Sequence, residues 1–249
     1  MSKSKQQNSI QSDYHGKDEL IVSENSLPTY NRFIVNSFFR FSNLKPGEPD
    51  DNSEYRTLDF GAGFGALALI WRETTRQSVE CLEIDAEQLK VIKSRGFIGW
   101  NSLSAIEGKF DFVYSSNVLE HIENDVACLK ELEVLLKKGG RIGIYVPAFM
   151  FLFSDLDRSV GHYRRYGKRN LIEKVENAGF TVLKCQYVDS VGFFASFLIK
   201  AFGWKATGNI GSSKSLKLYD SFVFPLSRLI DRITLGKIFG KNLLLIAEK

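Results

Sequence analysis

Cysteine and histidine are scarce in this chain, and long apolar runs and blocks of like charge are missing. Among 249 residues there are three cysteines, Cys81, Cys128 and Cys185. They lie far apart, form no CxxC pair and have no histidine at ligand spacing, so neither a disulfide framework nor a metal site is expected. No apolar run reaches the roughly 20 residues that a bilayer-spanning helix needs. Residues 1–20, MSKSKQQNSIQSDYHGKDEL, lack the apolar centre of a secretory signal, so a reduced cytoplasmic protein is expected. The net charge of +4 is spread along the sequence and gives no footing for a nucleic-acid partner. No internal repeat is visible. What is present is a globular composition, with 44% hydrophobic residues, enough for one large α/β domain or two small ones.

The most informative stretch is residues 55–69, YRTLDFGAGFGALAL. An apolar strand pattern runs into a turn containing Gly61, Ala62, Gly63 and Gly65, and a helix-compatible run follows at once. Glycines there allow positive φ and close backbone approach, which a nucleotide-like cofactor across the strand's end requires. The letters also fit the dinucleotide pattern GxGxxG/A, in which a diphosphate sits over the helix N-terminus. Asp59 argues against that ligand. Its carboxylate would face the diphosphate in a poorly solvated cleft, where like charges repel. S-adenosylmethionine (SAM) offers an ammonium and a sulfonium and no phosphate, so the acid favours SAM over NAD. LDFGAGFG also resembles the first motif of class I SAM-dependent methyltransferases, an acid followed by GxGxG.

Elsewhere the pattern alternates strands and helices. Residues 1–24 lack hydrophobic periodicity, and 1–25 read as a flexible segment ahead of a single domain over 26–249. Tyr30, Phe33, Ile34, Phe38 and Phe41 lie at helical spacing behind Pro28, predicting a helix over 26–41. KPGEPDDNSE (45–54) reads as a linker. SVECLEI (78–84) is a strand, followed by a helix that Asp85 caps. Glu83 at the strand's tip, 20 residues after Gly63, stands where doubly wound folds place the acid for the ribose hydroxyls, with Ile84 beside it. After a short strand, FIGW (97–100), the resemblance leads one to expect an acid for the adenine amino group. Asn101 and Ser102 stand there instead; either can accept a hydrogen bond, and Leu103 can pack on the base.

KFDFVYSSNVLEH (109–121) resembles the fourth-strand motif of the same methyltransferases. By that resemblance Ser116, Asn117 and Val118 line the methionine and sulfonium end of the cofactor. A helix over 124–136 is expected to stop at KKGG, with Lys137 and Lys138 at its negative end and Gly139 as its cap. RIGIYV (141–146) is the fifth strand.

The next segment should set the substrate. It carries Asp155 and Asp157, then GHYRRY (161–166), then a helix over 168–177. The pattern DxDxxxGHYRRY resembles a group of bacterial class I enzymes associated with polysaccharide and glycan biosynthesis, over about residue 30 to the end. His162, Arg164 and Arg165, with Tyr163 and Tyr166 beside them, read as a receptor for an anionic group, since guanidinium forks bind carboxylate or phosphate. The alternative is a structural cluster paired with Asp155 and Asp157. FTVLKCQYV (180–188) is a strand, and VGFFASFLIKAFGW (191–204) is a helix over a pocket or on a lipid surface. GNIGSSKS (208–215) is a connector, a second apolar helix covers 218–233, and NLLLIAE (242–248) is the last strand.

The resemblance implies an α/β, Rossmann-like class I methyltransferase fold. Its seven-stranded, mostly parallel sheet has helices on both faces and a helical insertion before the last, antiparallel strand. Residues 54–147 would be the SAM-binding half and 148–249 the substrate-side half, capped by about 189–240. The expected reaction moves a methyl group from SAM, leaving S-adenosylhomocysteine, to an oxygen of a small-molecule, glycan or lipid-linked glycan acceptor. His162 is the preferred base and His121 the second, because an imidazole exchanges protons near neutral pH. His121 also reads as structural, its ring bonded to backbone. The rival readings are an NAD-dependent oxidoreductase and a non-catalytic SAM-binding scaffold. The apolar insertion is expected to give a peripheral contact with the inner membrane face.

Overall fold

The computed structural model describes residues 17–44, 55–201, 213–234 and 236–249. The linker at 45–54 and most of the connector at 208–215 lie outside them, as do residues 1–16. Strands β1 (Thr57–Phe60), β2 (Glu80–Leu82), β3 (Gly99–Trp100), β4 (Phe110–Ser116), β5 (Leu136–Pro147), β6 (Thr181–Val188) and β7 (Asn242–Glu248) form one sheet. Its order is β3-β2-β1-β4-β5-β7-β6. Pairing is parallel from β3 to β5, and β7 lies antiparallel between β5 and β6. The chain builds outward from β1 in both directions, so the carboxyl ends of β1 and β4 flank a topological switch point, where such sheets bind ligands.

The helices are α1 (Lys17–Ser26), α2 (Pro28–Phe39), α3 (Ala66–Thr75), α4 (Ala86–Ser94), α5 (Asp125–Leu135), α6 (Asp155–Ser159), α7 (Lys168–Asn177), α8 (Ser190–Ala201), α9 (Ser213–Leu218) and α10 (Phe224–Thr234). They cover both faces of the sheet. Alternation along β4 decides which side chain meets which layer: Phe112 and Tyr114 pack with Val35 and Phe38 of α2 and Trp71 of α3, while Val113 meets Leu129 and Leu132 of α5. Trp71 stacks on Tyr114 with ring centroids 5.2 Å apart. Such fully covered strands explain why the sequence shows continuous apolar runs there.

Three local expectations are corrected. Residues 17–24 are not structureless: they form α1, which packs on α2 and α9 and is tied down by an Arg95–Glu24 ion pair of 2.9 Å. Tertiary contact supplies what periodicity lacked. KKGG does not cap a helix. Leu136 already pairs with Phe110 in the sheet, and Lys137 reaches Asp111 at 2.8 Å instead of a helix end. The second apolar helix starts earlier than 218, as α9, and continues through a π-helical turn, Tyr219–Val223, into α10.

Candidate active site

The glycine turn after β1 has the conformation its sequence requires. Gly61, Gly63 and Gly65 have φ of +77°, +57° and +81°. Gly61 is also fixed by a neighbour, since a Cβ there would stand 2.4 Å from Val118 Cγ2. The first and fourth strand motifs therefore touch. Gly61 and Ala62 N–H both donate to the Leu82 carbonyl at 3.0 Å, and Gly63 N–H donates to Glu83 Oε2 at 2.9 Å. Asp85 N–H takes the other Glu83 oxygen at 2.9 Å. Glu83 thus braces the turn against the end of β2, and each oxygen keeps one lone pair. Burial, opposed by those backbone bonds, raises its carboxyl above the usual range. Beside it Ile84 is 66% exposed, an apolar platform at the strand's tip. Asp85 caps α4, accepting from Glu87 and Gln88 N–H.

Asp59 differs from expectation. Its side chain is buried, 2% exposed, and Oδ2 has no hydrogen-bond partner among the described residues. Burial pushes the carboxyl up to about 8. The site therefore holds a buried acid that a neighbouring cation would ionise, in place of a standing negative charge. Asn101 is exposed, Ser102 Oγ lies 3.1 Å from Ser104 Oγ, and Leu103 packs on the core. At the end of β4, Asn117 adopts φ of +54° and donates its N–H to the Tyr145 carbonyl at 2.8 Å. Its Nδ2 donates to Ser116 Oγ at 3.3 Å. A strained asparagine is the kind of backbone that functional sites retain.

The polypeptide then enters a 3-10 turn, Leu119–His121, and GHYRRY docks on it. Tyr163 N–H donates to the Glu120 carbonyl at 2.8 Å, and Tyr166 forms a parallel bridge with Ala148 at the end of β5. The rings of His121 and His162 meet edge to face, centroids 4.6 Å apart. His162 Nδ1 lies 2.8 Å from Asp157 Oδ1. Asp157 also accepts from Arg165 Nε and Nη2, at 2.8 and 3.0 Å, and from the N–H and Oγ of Ser154. Burial opposes its ionisation, but the bonds from His162 and Arg165 hold its carboxyl well below the usual range. An ionised carboxylate only accepts, so Nδ1 donates to Asp157.

Glu120 was not singled out from sequence, although it stands inside the VLEH motif itself. It is fully buried, neither carboxyl oxygen has a hydrogen-bond partner among the described residues, and Oε1 lies 4.0 Å from His162 Nε2. Burial pushes it up to about 8. Burial and then His162 push His121 down to about 4, and its ring is bonded to the Gly161 backbone. The ligating atoms of Glu120, His121 and His162 lie within 4.8 Å of one another, a grouping the sequence did not suggest. The Arg165 charge acting on Glu120 opposes a cation there.

The anionic receptor expected from GHYRRY is not assembled. Arg165 is neutralised by Asp157 and Arg164 by Asp125 at 2.8 Å, and Arg164 Nη2 also donates to the Glu123 carbonyl at 2.7 Å. Asp155 is exposed and pairs with Arg158 at 2.6 Å. Tyr166 is core, its hydroxyl bonded to the Leu119 carbonyl and Asp125 Oδ2, so it is withdrawn as a substrate contact. Tyr163 is 53% exposed. The structural alternative is the one found, with Asp125 taking the place of Asp155. Asp125 also holds Lys174 at 2.7 Å, and its sequence context gave no sign of this.

Residues 58–144, from β1 into β5, match the methyltransferase domain family. A search of curated protein sequences gives no match. A SAM-dependent methyltransferase from Archaeoglobus fulgidus shares 16% identity and a TM-score of 0.58, covering 93% of this chain and 99% of its own. Phosphoethanolamine N-methyltransferase 2 from Haemonchus contortus, solved with SAM, shares 19% identity and a TM-score of 0.55, over 86% of this chain and 52% of its own. A chain from the complex between the Haloferax volcanii Trm112 methyltransferase activator and a methyltransferase shares 13% identity and a TM-score of 0.61, over 96% and 99%. Likeness at such identity establishes the fold, the Rossmann-like class I methyltransferase fold. The domain match covers about a third of the chain, and together with the fold it supports SAM-dependent methyl transfer by this domain. The glycine turn and the partnerless Asp59 oxygen fit that cationic group better than they fit a diphosphate.

Proposed function

We propose that this enzyme methylates a hydroxyl of a small-molecule, glycan or lipid-linked glycan acceptor, with His162 as the base. The observation that carries the proposal is the Asp157–His162 pair, lodged against the 3-10 turn that directly follows Val118. In this reading the backbone of Gly61, Ala62, Gly63 and Gly65 admits the cofactor and Asp59 faces its ammonium. Glu83 takes the ribose hydroxyls on its remaining lone pairs, and Ile84 and Leu103 flank the adenine, whose edge Asn101 and Ser102 meet. Ser116, Asn117 and Val118 line the methionine end. Bound there, SAM supplies an electrophilic methyl group on a sulfonium.

The chain's own contribution is alignment and proton removal. Alignment is the larger part of such catalysis. A hydroxyl entering beside His162 meets the Nε2 lone pair on one side and the Glu120 carboxyl on the other. Nε2 takes the proton, and Asp157 steadies the imidazolium through Nδ1–H. His121, bonded to backbone, packs the ring of His162 in place and is second choice as base. The glycan assignment rests on the DxDxxxGHYRRY resemblance, with Tyr163 as the exposed group for a sugar face.

His162→Gln should lower turnover by about 10²- to 10⁴-fold while SAM affinity, measured by calorimetry, stays within a few-fold. Parallel loss of SAM affinity would remove His162 from the catalytic role.

A further inference from the structure

We propose that the continuous helical run through α9, the π-helical turn and α10 is a docking surface for the anionic face of a lipid bilayer. This goes beyond the methyl-transfer reading and stands whether or not the acceptor is carried on a lipid.

Five large apolar side chains stand outward at spacings of four, four, three and four: Leu218, Phe222, Leu226, Leu229 and Ile233. They are 59, 70, 53, 54 and 75% exposed. Those spacings place them on one face of the helix. The opposite face is already anchored, since Phe224, Ser227 and Asp231 are buried. Surface helices normally turn polar residues outward; this one buries Ser227 and Asp231 beside Phe224 and turns its apolar stripe outward.

Charge names the occupant. Between residues 213 and 241 the exposed charges among the described residues are all positive: Lys214 and Lys217 before the stripe, Arg232 and Lys237 at its end. The two acids of this stretch are buried and used internally. Asp220 accepts Thr29 and Tyr30 N–H at 2.9 and 2.8 Å, and Asp231 accepts Asp189 and Ser190 N–H at 2.8 and 3.1 Å. Beside the stripe, Arg32, Arg40 and Arg228 line a groove of about 400 Å³ that contains no carboxylate. Arg32 is paired with Glu73, whereas Arg40 and Arg228 form no ion pair with a described residue. The Arg228 guanidinium lies 3.7 Å from the Phe33 ring centroid, on the helix that bears Leu226 and Leu229. An apolar stripe with cations at both ends and an arginine groove at its side matches acyl chains below a layer of phosphates. No helix among the described residues is long and apolar enough to cross a membrane, so the contact is peripheral.

The test is flotation of the full chain with neutral phosphatidylcholine vesicles and with vesicles containing about one-third phosphatidylglycerol. Binding should be about tenfold or more stronger to the anionic vesicles, and should weaken as salt is raised. The triple variant Phe222→Ser, Leu229→Ser, Ile233→Ser should lose about tenfold or more in binding while keeping its melting temperature and SAM affinity. Lys214→Glu with Lys217→Glu and Arg40→Glu should lose the preference for anionic lipid. Equal binding to both vesicles, or unchanged flotation of the triple variant, would overturn the proposal. So would a dimer in solution that the triple variant dissolves without any vesicle binding, because a second copy of the chain would then be the occupant.

Discussion

A carboxyl selects a cofactor by charge only when it is ionised, and at Asp59 burial works against ionisation. Its folded value of about 8 stands above the ordinary 3.8. The native protein therefore holds this proton longer than the unfolded chain does. The resulting stability is fully present below about pH 4 and is lost as pH rises to 8. Cofactor binding carries the opposite sign. A ligand cation favours the charged carboxylate, so SAM affinity should rise between pH 6 and 8, by at most about tenfold per unit, and flatten above. Calorimetry across that range checks this, and Asp59→Asn should bind SAM more weakly with the slope removed. At His162, loss of the Asp157 contact should act through the imidazole: Asp157→Asn is expected to lower kcat and move its pH profile while leaving SAM affinity within a few-fold. The place of Asp59 beside the glycine turn was legible because it is local in sequence; its burial, which raises the carboxyl, was not, because burial is a property of the folded sheet.

Local signals foretold the elements well where one element carries its own message. The glycine turn, the Asp85 cap and the strands of the sheet belong to this kind, since turn conformation and period-two burial are fixed by neighbours in sequence. Elements defined by distant partners were missed. Arg164 was read as an anion receptor because the acid that neutralises it, Asp125, lies 39 residues away on α5. Helix α1 was read as flexible because its support comes from α2 and α9. Two substitutions test this scale. Gly61→Ala forces a side chain into positive φ and against Val118, so it should cost about 1–3 kcal/mol and abolish SAM binding. Adding Val118→Ala should return part of the stability, a non-additivity readable from paired melting curves. Asp220→Ala leaves the Thr29 and Tyr30 N–H groups of α2 uncapped, and should cost about 1–2 kcal/mol in denaturant unfolding.

At the scale of the molecule, the sheet order brings Val118 against Gly61 and carries the chain directly into the turn on which His162 rests. The glycine turn after β1 and the His162 ring thus both touch the short stretch after β4, through Val118 and His121. The fold was legible from two motifs in order, whereas the acceptor was not, because one architecture hosts many functions. The most direct measurement is incubation of the purified protein with methyl-labelled SAM and fractionated cell extract, followed by organic and aqueous partition. The account predicts label in a small-molecule, glycan or lipid-linked glycan acceptor, stable as an ether and reduced by His162→Gln. Absence of label from every fraction, or transfer that His162→Gln leaves intact, would contradict it.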